Sequence, residues 1–351
     1  MKKLLLGLFS LLFTLVVADI GFGAVAPSLG VDTERVEDLR TFLREGHKLF
    51  RPFPYSGFVA RTTDEQATDP TRPRDWAFEL EKKPDVVRIA CLGGSTTHGK
   101  YPLLLKEELE RDLGREVEVM NWGVPGWTSQ ETLVNYVTTV QDYRPDVVVI
   151  HHSLNDVAPR RWQNFRRDYA HYRRPWQEPR IGALERWLIL HSDLWSGLRT
   201  RDTHNFTLSD FANHPFDKEA GAVSSEATEK KLPAGTDVTF RRNVETLARL
   251  AELRGARVAL VTMPCKPEMI YRGDGKKRLW AAGVEQHNTI LRELAKGERL
   301  LVDTAAVVSS GPQRANPMFI DRVHLTQEGA RAKARMIADA LIAKGWTEPG
   351  S

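Results

Sequence analysis

The chain has 351 residues, 41% hydrophobic and 27% charged, with a net charge of +4 and a pI of about 9.0. That is the balance of a globular protein, long enough for one large domain or two small ones, and its mild positive charge demands no acidic partner, so no nucleic-acid partner is expected. Only two cysteines occur, Cys91 and Cys265, in no C-x-x-C spacing; they exclude a disulfide framework, leave no cysteine zinc site, and read as buried thiols inside apolar runs.

In chain order, Lys2 and Lys3 precede the apolar stretch Leu4 to Ala18, the pattern of an export signal. Val16-Val17-Ala18 offers a cleavage site ahead of Asp19. Uncleaved, the segment runs on to Ala26 and serves as a membrane anchor with Asp19 near one interface. Residues 1–26 are therefore read as signal peptide or membrane anchor. Either way the rest of the chain is exported, to the periplasm, the cell envelope or the extracellular space. Residues 27–83 are polar and Pro-rich ("RPFPYSGF", "DPTRPRDW") and read as a spacer packing on the domain that follows.

From there strands and helices alternate. "DVVRIACLG" (85–93), "REVEVMNWGV" (115–124), "PDVVVIHHSLND" (145–156), "RVALVTMP" (257–264) and "RLLVDTAAV" (299–307) are short apolar runs, as strands buried on both faces should be. Helical periodicity covers 101–114, 129–143, 237–255, 277–296 and 326–345, with Gly114 as a C-cap and Thr128 or Ser129 as an N-cap. The alternation predicts a three-layer α/β/α domain over 84–346, flavodoxin-like, with a five-stranded parallel sheet in the order 2-1-3-4-5. Residues 157–236 break the alternation between the third strand and its helix. The stretch 157–201 holds ten arginines, four acidic residues and four of the nine tryptophans. We expect an inserted lid or subdomain at the C-terminal edge of the sheet. Three readings of it stand: a packed subdomain with a solvated basic face, a groove for an acidic or sugar-rich substrate, and a contact for anionic lipid headgroups.

The end of the first strand, "CLGGSTTHGKY" (91–101), reads in two ways. Gly94 to Lys100 fits G-x-x-x-x-G-K, the frame of a phosphate-binding loop. That loop needs Ser or Thr after the lysine to hold magnesium, and the position is Tyr101. The other reading is a serine nucleophile, Ser95, at a strand end. A serine hydroxyl needs a base, an acid to hold that base, and donors for an oxyanion. In an open α/β sheet these come from loops at the strands' C-terminal ends. The chain has Gly126 after strand two, Asn155 after strand three, and Asp321 with His324 before the last helix. A three-residue spacing can aim Asp321 at His324 Nδ1 and leave Nε2 for Ser95.

These four blocks, in this chain order over about 86–345, resemble the SGNH (GDSL-type) hydrolases, and the N-terminal half looks like the exported or membrane-anchored bacterial branch. The resemblance implies a carboxylic ester hydrolase without cofactor or metal. It implies Ser95 as nucleophile, His324 as general base and Asp321 as its orienter, with the Ser95 N–H, the Gly126 N–H and the Asn155 amide as oxyanion hole. The substrate it suggests is an O-acyl ester, a small molecule or an O-acetylated envelope glycan, with a lipid ester second. Two other functions share the fold: an envelope O-acyltransferase using the same triad, and a catalytically silent ligand-binding module. The sequence departs from the family pattern in Gly93-Gly94-Ser95, where Gly-Asp-Ser is usual, and in Ser153, where glycine usually opens the third block. Asp156 is expected to hold loop N–H groups, His151 and His152 to be packed histidines, and Thr96 and Thr97 to cap the first helix.

Overall fold

The computed structural model describes residues 2–29, 33–46, 50–60, 78–162, 164–177, 181–202, 212, 232–266, 275–308 and 316–348. Residues 69–76 of the expected spacer, and 203–211 and 213–231 of the expected insertion, lie outside the described residues. The chain forms two compact units, Met1–Pro52 with Arg174–Pro215, and Phe53–Arg173 with Phe216–Ser351.

The first unit is helical: Lys2–Val25, Thr33–Glu45, Ala183–His191 and Asp193–Asp202. Part of the stretch read as spacer is thus a helix, because Leu39 and Leu43 recur at helical spacing and pack with Ile189. The Asp19 carboxylate accepts hydrogen bonds from Ser192 Oγ at 2.7 Å and the Leu194 N–H at 2.8 Å, capping the start of helix Asp193–Asp202 from another segment. Arg40 pairs with Asp193 at 2.7 Å. Phe9, Phe13 and Ile20 on the leading helix are exposed. Among the described residues no helix is long and apolar enough to cross a membrane.

The second unit carries the sheet: β1 Val87–Gly93, β2 Val117–Gly123, β3 Val147–His151, β4 Arg257–Val261 and β5 Leu300–Val302. All neighbours are parallel, in the order β2-β1-β3-β4-β5, as expected. The helices are α1 Ser95–His98, α2 Tyr101–Leu113, α3 Ser129–Thr138, α4 Leu154–Val157, α5 Val238–Leu253, α6 Gly275–Leu294, α7 Thr304–Val308 and α8 Gln327–Ala343. Successive strand residues point to opposite faces. Val87, Ile89, Cys91, Val147 and Val149 meet α2 and α8, while Ala90, Leu92, Val148 and Ile150 meet α3, α5 and α6. Two buried cores on a continuous apolar sheet explain why the strands read as unbroken apolar runs. One charge interrupts them. Arg88 lies opposite Glu118 in the β1–β2 register, pairs with it at 2.5 Å, and donates to the Tyr143 carbonyl at 2.7 Å.

The sequence-read strands end short of their expected limits at sites that matter. After His151 the chain turns at once into α4, so Asn155 sits on a one-turn helix rather than on a strand. Similarly α7 begins two residues after β5. Part of the insertion, 157–173, belongs to this unit and packs against the loops after β2 and β3, as the contacts of Tyr169 and Arg173 below establish.

Candidate active site

Ser95 is the first residue of α1, directly after the Gly93-Gly94 end of β1. The Gly94 carbonyl accepts from the N–H groups of Thr97 and His98 at 3.0 and 2.9 Å, so the turn from strand into helix is immediate and lifts the serine above the sheet edge. Gly94 occupies the cap position, and Thr96 and Thr97, expected as caps, lie inside the helix instead. A Cβ on Gly94 would stand 2.7 Å from Asn155 Nδ2 and 3.2 Å from the Trp127 carbonyl. This close approach explains the second glycine of the motif, where an Asp would not fit without displacing Asn155.

His324 arrives over the same edge on a pinned loop. Phe319 and Leu325 bridge, the Ile320 N–H donates to the His324 carbonyl at 2.8 Å, and the Thr326 N–H donates to the Met318 carbonyl at 2.9 Å. Thr326 then caps α8, its hydroxyl accepting from the Gly329 N–H. Inside this loop Asp321 Oδ1 accepts from the N–H groups of Val323 and His324 at 3.0 and 2.9 Å, and Oδ2 lies 2.7 Å from His324 Nδ1. Partial burial works to raise the Asp321 carboxyl, but those three hydrogen bonds outweigh it and hold the group below its ordinary range. A carboxylate at Nδ1 fixes the proton there and leaves Nε2 as acceptor. His324 Nε2 lies 2.8 Å from Ser95 Oγ, hydrogen-bond distance for proton transfer. The two side chains are 229 positions apart in sequence.

Gly126 is the third residue of a turn closed by the Trp127 N–H on the Val124 carbonyl at 3.1 Å. Pro125 precedes it and its φ is +81°, the backbone of a type II turn, which needs glycine there. The Asn155 amide donates to the Trp127 carbonyl at 2.8 Å, leaving its second N–H unused in that contact. Asn155 therefore ties the loop after β2 to the helix after β3, close to Gly94 and the start of α1.

Sequence reading missed the supports beneath this loop. Arg173, from the insertion, donates to the Gly126 carbonyl and pairs with Glu131 at 2.6 Å. Glu131 in turn accepts from the Thr128 N–H at 2.7 Å in the capping box that starts α3. The Trp127 indole donates to the Phe58 carbonyl at 2.9 Å. Asp156, expected as a loop support, accepts from the Ser129 N–H at 3.0 Å, the Ser129 hydroxyl at 2.6 Å and the Tyr169 hydroxyl at 3.2 Å. Burial pushes its carboxyl up to about 7 against the Ser129 bonds. Ser153 faces His287, with Oγ 3.3 Å from Nδ1.

His151 and His152 are buried, on Val261 O and Thr132 Oγ1 respectively, and burial lowers both imidazoles, His152 to about 3. Cys91 and Cys265 are free and buried, and burial raises both thiols to about 12. Among the described residues no group of three or more His, Cys, Asp or Glu side chains could hold a metal ion.

The model of the GDSL-like Lipase/Acylhydrolase family matches residues 91–332, a span that starts at the end of β1 and takes in Ser95, Gly126, Asn155, Asp321 and His324. The chain belongs to this family. This GDSL-like protein is accordingly a carboxylic ester hydrolase. Similar solved structures include a lipase/acylhydrolase from Enterococcus faecalis (17% identity, covering 76% of this chain and 99% of that one, TM-score 0.44). Others are the acetyl xylan esterase AlAXEase (16%, 73% and 98%, 0.43) and a mutant of Axe2, an acetyl-xylooligosaccharide esterase from Geobacillus Stearmophilus (17%, 74% and 93%, 0.42). No curated protein matches the GDSL-like chain.

Proposed function

We propose that the protein cleaves an O-acyl ester in two steps through an acyl-enzyme on Ser95. The observation that carries this is the Ser95–His324–Asp321 chain, with contacts of 2.8 and 2.7 Å. Ser95 Oγ attacks the ester carbonyl while His324 Nε2 takes its proton. The resulting oxyanion rests against the Ser95 N–H, the Gly126 N–H and the free amide N–H of Asn155. Collapse breaks the bond to the alcohol, which leaves with the proton from His324. Water then repeats the sequence, releasing the acid and restoring Ser95. Asp321 holds the imidazole tautomer and stabilises its cationic form without itself taking the proton.

The acyl group we assign is small, an O-acetyl on an envelope or extracellular glycan, acting within a hydrolase domain over 84–346. Export through residues 1–26 is part of the same reading. The Asp19 contacts with Ser192 and Leu194 favour a retained leading segment over a cleaved one, with Phe9, Phe13 and Ile20 meeting the membrane. The mass of the protein recovered from an exporting host tests this: the full-length mass is expected, and a product beginning at Asp19 would contradict it. For the chemistry, wild type and Ser95→Ala are compared on 4-nitrophenyl esters from acetate to octanoate and on acetylated sugars. Turnover highest on acetyl esters and lost in the variant is expected; a variant as active as wild type would end the assignment.

A further inference from the structure

The buried guanidinium groups of Arg160, Arg88 and Arg173 each hold hydrogen-bond or carboxylate partners, although Arg88 also keeps Nη2 without one. Arg160 donates to Thr236 Oγ1, His287 Nε2 and Gln286 Oε1 at 3.1, 2.8 and 2.6 Å. Arg88 and Arg173 each pair with a buried carboxylate. Arg161, the next residue after Arg160, is different. It is 94% buried, being 6% exposed, its Nε has no hydrogen-bond partner, and no carboxylate pairs with it among the described residues. Its guanidinium carbon lies 5.1 Å from the centroid of the Trp280 ring. Withdrawing a cation from water without a counter-charge is unfavourable, and burial works to lower this group's affinity for its proton.

The position of Arg161 gives its unpartnered donor a use. Trp280 packs on the apolar cluster of Val157, Leu279 and Val323, with Leu154 beside it. Leu154 and Val323 are the chain neighbours of Asn155 and His324. The cluster therefore spans the gap between the loop that supplies an oxyanion donor and the loop that supplies the base. A buried apolar cluster whose partly exposed members include Leu154 and Trp280, with an unpaired guanidinium beside the aromatic ring, suits a substrate with one anionic group.

We infer that Arg161, backed by Trp280, binds an oxyanionic group, a carboxylate or a phosphate, on the alcohol portion of the ester. This rests on the ester-hydrolase reading. Arginine suits the task because its planar fork donates two parallel hydrogen bonds to either group. The sugar ring carrying the anion would lie against Trp280, making acidic acetylated sugars better substrates than neutral ones.

The test compares acetylated glucose, acetylated glucuronate and acetylated glucose 6-phosphate as substrates of wild type, Arg161→Gln and Arg161→Lys. In wild type, kcat/KM for at least one anionic ester should exceed that for the neutral ester by roughly tenfold or more, carried in KM, as a charge-assisted hydrogen bond allows. The anionic-to-neutral ratio should fall toward one in Arg161→Gln and be partly kept in Arg161→Lys; which ester wins distinguishes a carboxylate from a phosphate. Equal kcat/KM for all three esters in wild type, or an unchanged ratio in Arg161→Gln, would overturn the assignment. Calorimetric binding of glucuronate and inorganic phosphate to Ser95→Ala protein separates this from the hydrolase reading. Binding that Arg161→Gln abolishes supports the site even if no ester is turned over, and absence of binding by both anions overturns it.

Discussion

Lys333 is the buried cation whose effect can be worked out furthest. It lies on α8, 1% exposed, with Nζ 3.2 Å from the Thr96 carbonyl and 3.8 Å from the centroid of the Tyr101 ring. The groups facing it are the Cys91 thiol, the Tyr101 phenol and the His151 imidazole, none of them an anion at neutral pH. Burial lowers its ammonium from 10.5 to about 7. At about 1.4 kcal/mol per pH unit, such a depression corresponds to roughly 4–5 kcal/mol of penalty on the charged form, present in full below pH 7. Between pH 7 and 10.5 the unfolded chain holds a proton that the folded one has lost, so stability should rise with pH across that window. Lys333→Met removes the penalty but leaves the Thr96 carbonyl without its donor, a loss of about 1–3 kcal/mol. We expect the variant to be more stable than wild type by about 1–4 kcal/mol at pH 7, from those two magnitudes combined. The gain should vanish by about pH 10, near the ordinary lysine value. Urea unfolding of both proteins from pH 6 to 10 reads this directly. Parallel stability curves for the two proteins, or a variant clearly weaker than wild type at pH 7, would refute the reasoning.

Three further outcomes follow from the site. Asn155→Ala should lower kcat on the order of 10²–10³ with little change in KM, the loss typical of one oxyanion donor; steady-state kinetics on an acetyl ester measures it. Gly94→Ala pushes a methyl group toward Asn155 Nδ2, so it should lower kcat in the same assay and add little to Asn155→Ala in the double variant, because both act through one amide. Arg173→Ala strands the Glu131 carboxylate, which is 5% exposed, and should destabilise the fold by about 3–5 kcal/mol in urea melts. Arg173→Met with Glu131→Gln should recover stability more fully than kcat, because the Gly126 carbonyl still lacks its donor.

The sheet was legible because each strand buries both faces and so reads as an apolar run, and parallel order follows from alternation with helices. The meeting of Ser95, Asp321 and His324 was legible because the proposed chemistry asks for those residue types at strand ends, whereas the positive φ of Gly126 came only with the structure. What stayed hidden depends on pairing across distance. Arg173 is one of ten arginines between 157 and 201, and nothing local marks it as the one that reaches Gly126 and Glu131. Lys333 sits in "ARAKAR", which reads as a solvated helix face until the register of α8 turns it under α1. The helix Thr33–Glu45 was obscured by its few apolar residues, whose partner Ile189 lies about 150 positions away. The strand limits ran long at "IHHSLND" because the sharp turn into α4 is set by contacts of Asn155 and Asp156 with the loop after β2.

The central claim is that Ser95 is made nucleophilic by His324. Mass spectrometry of the protein treated with a fluorophosphonate reads this most directly. We expect one adduct per chain on the peptide containing Ser95, none on that peptide in Ser95→Ala, and labelling slowed by orders of magnitude in His324→Ala. An adduct on another residue, or a His324→Ala protein labelled at the wild-type rate, would contradict it.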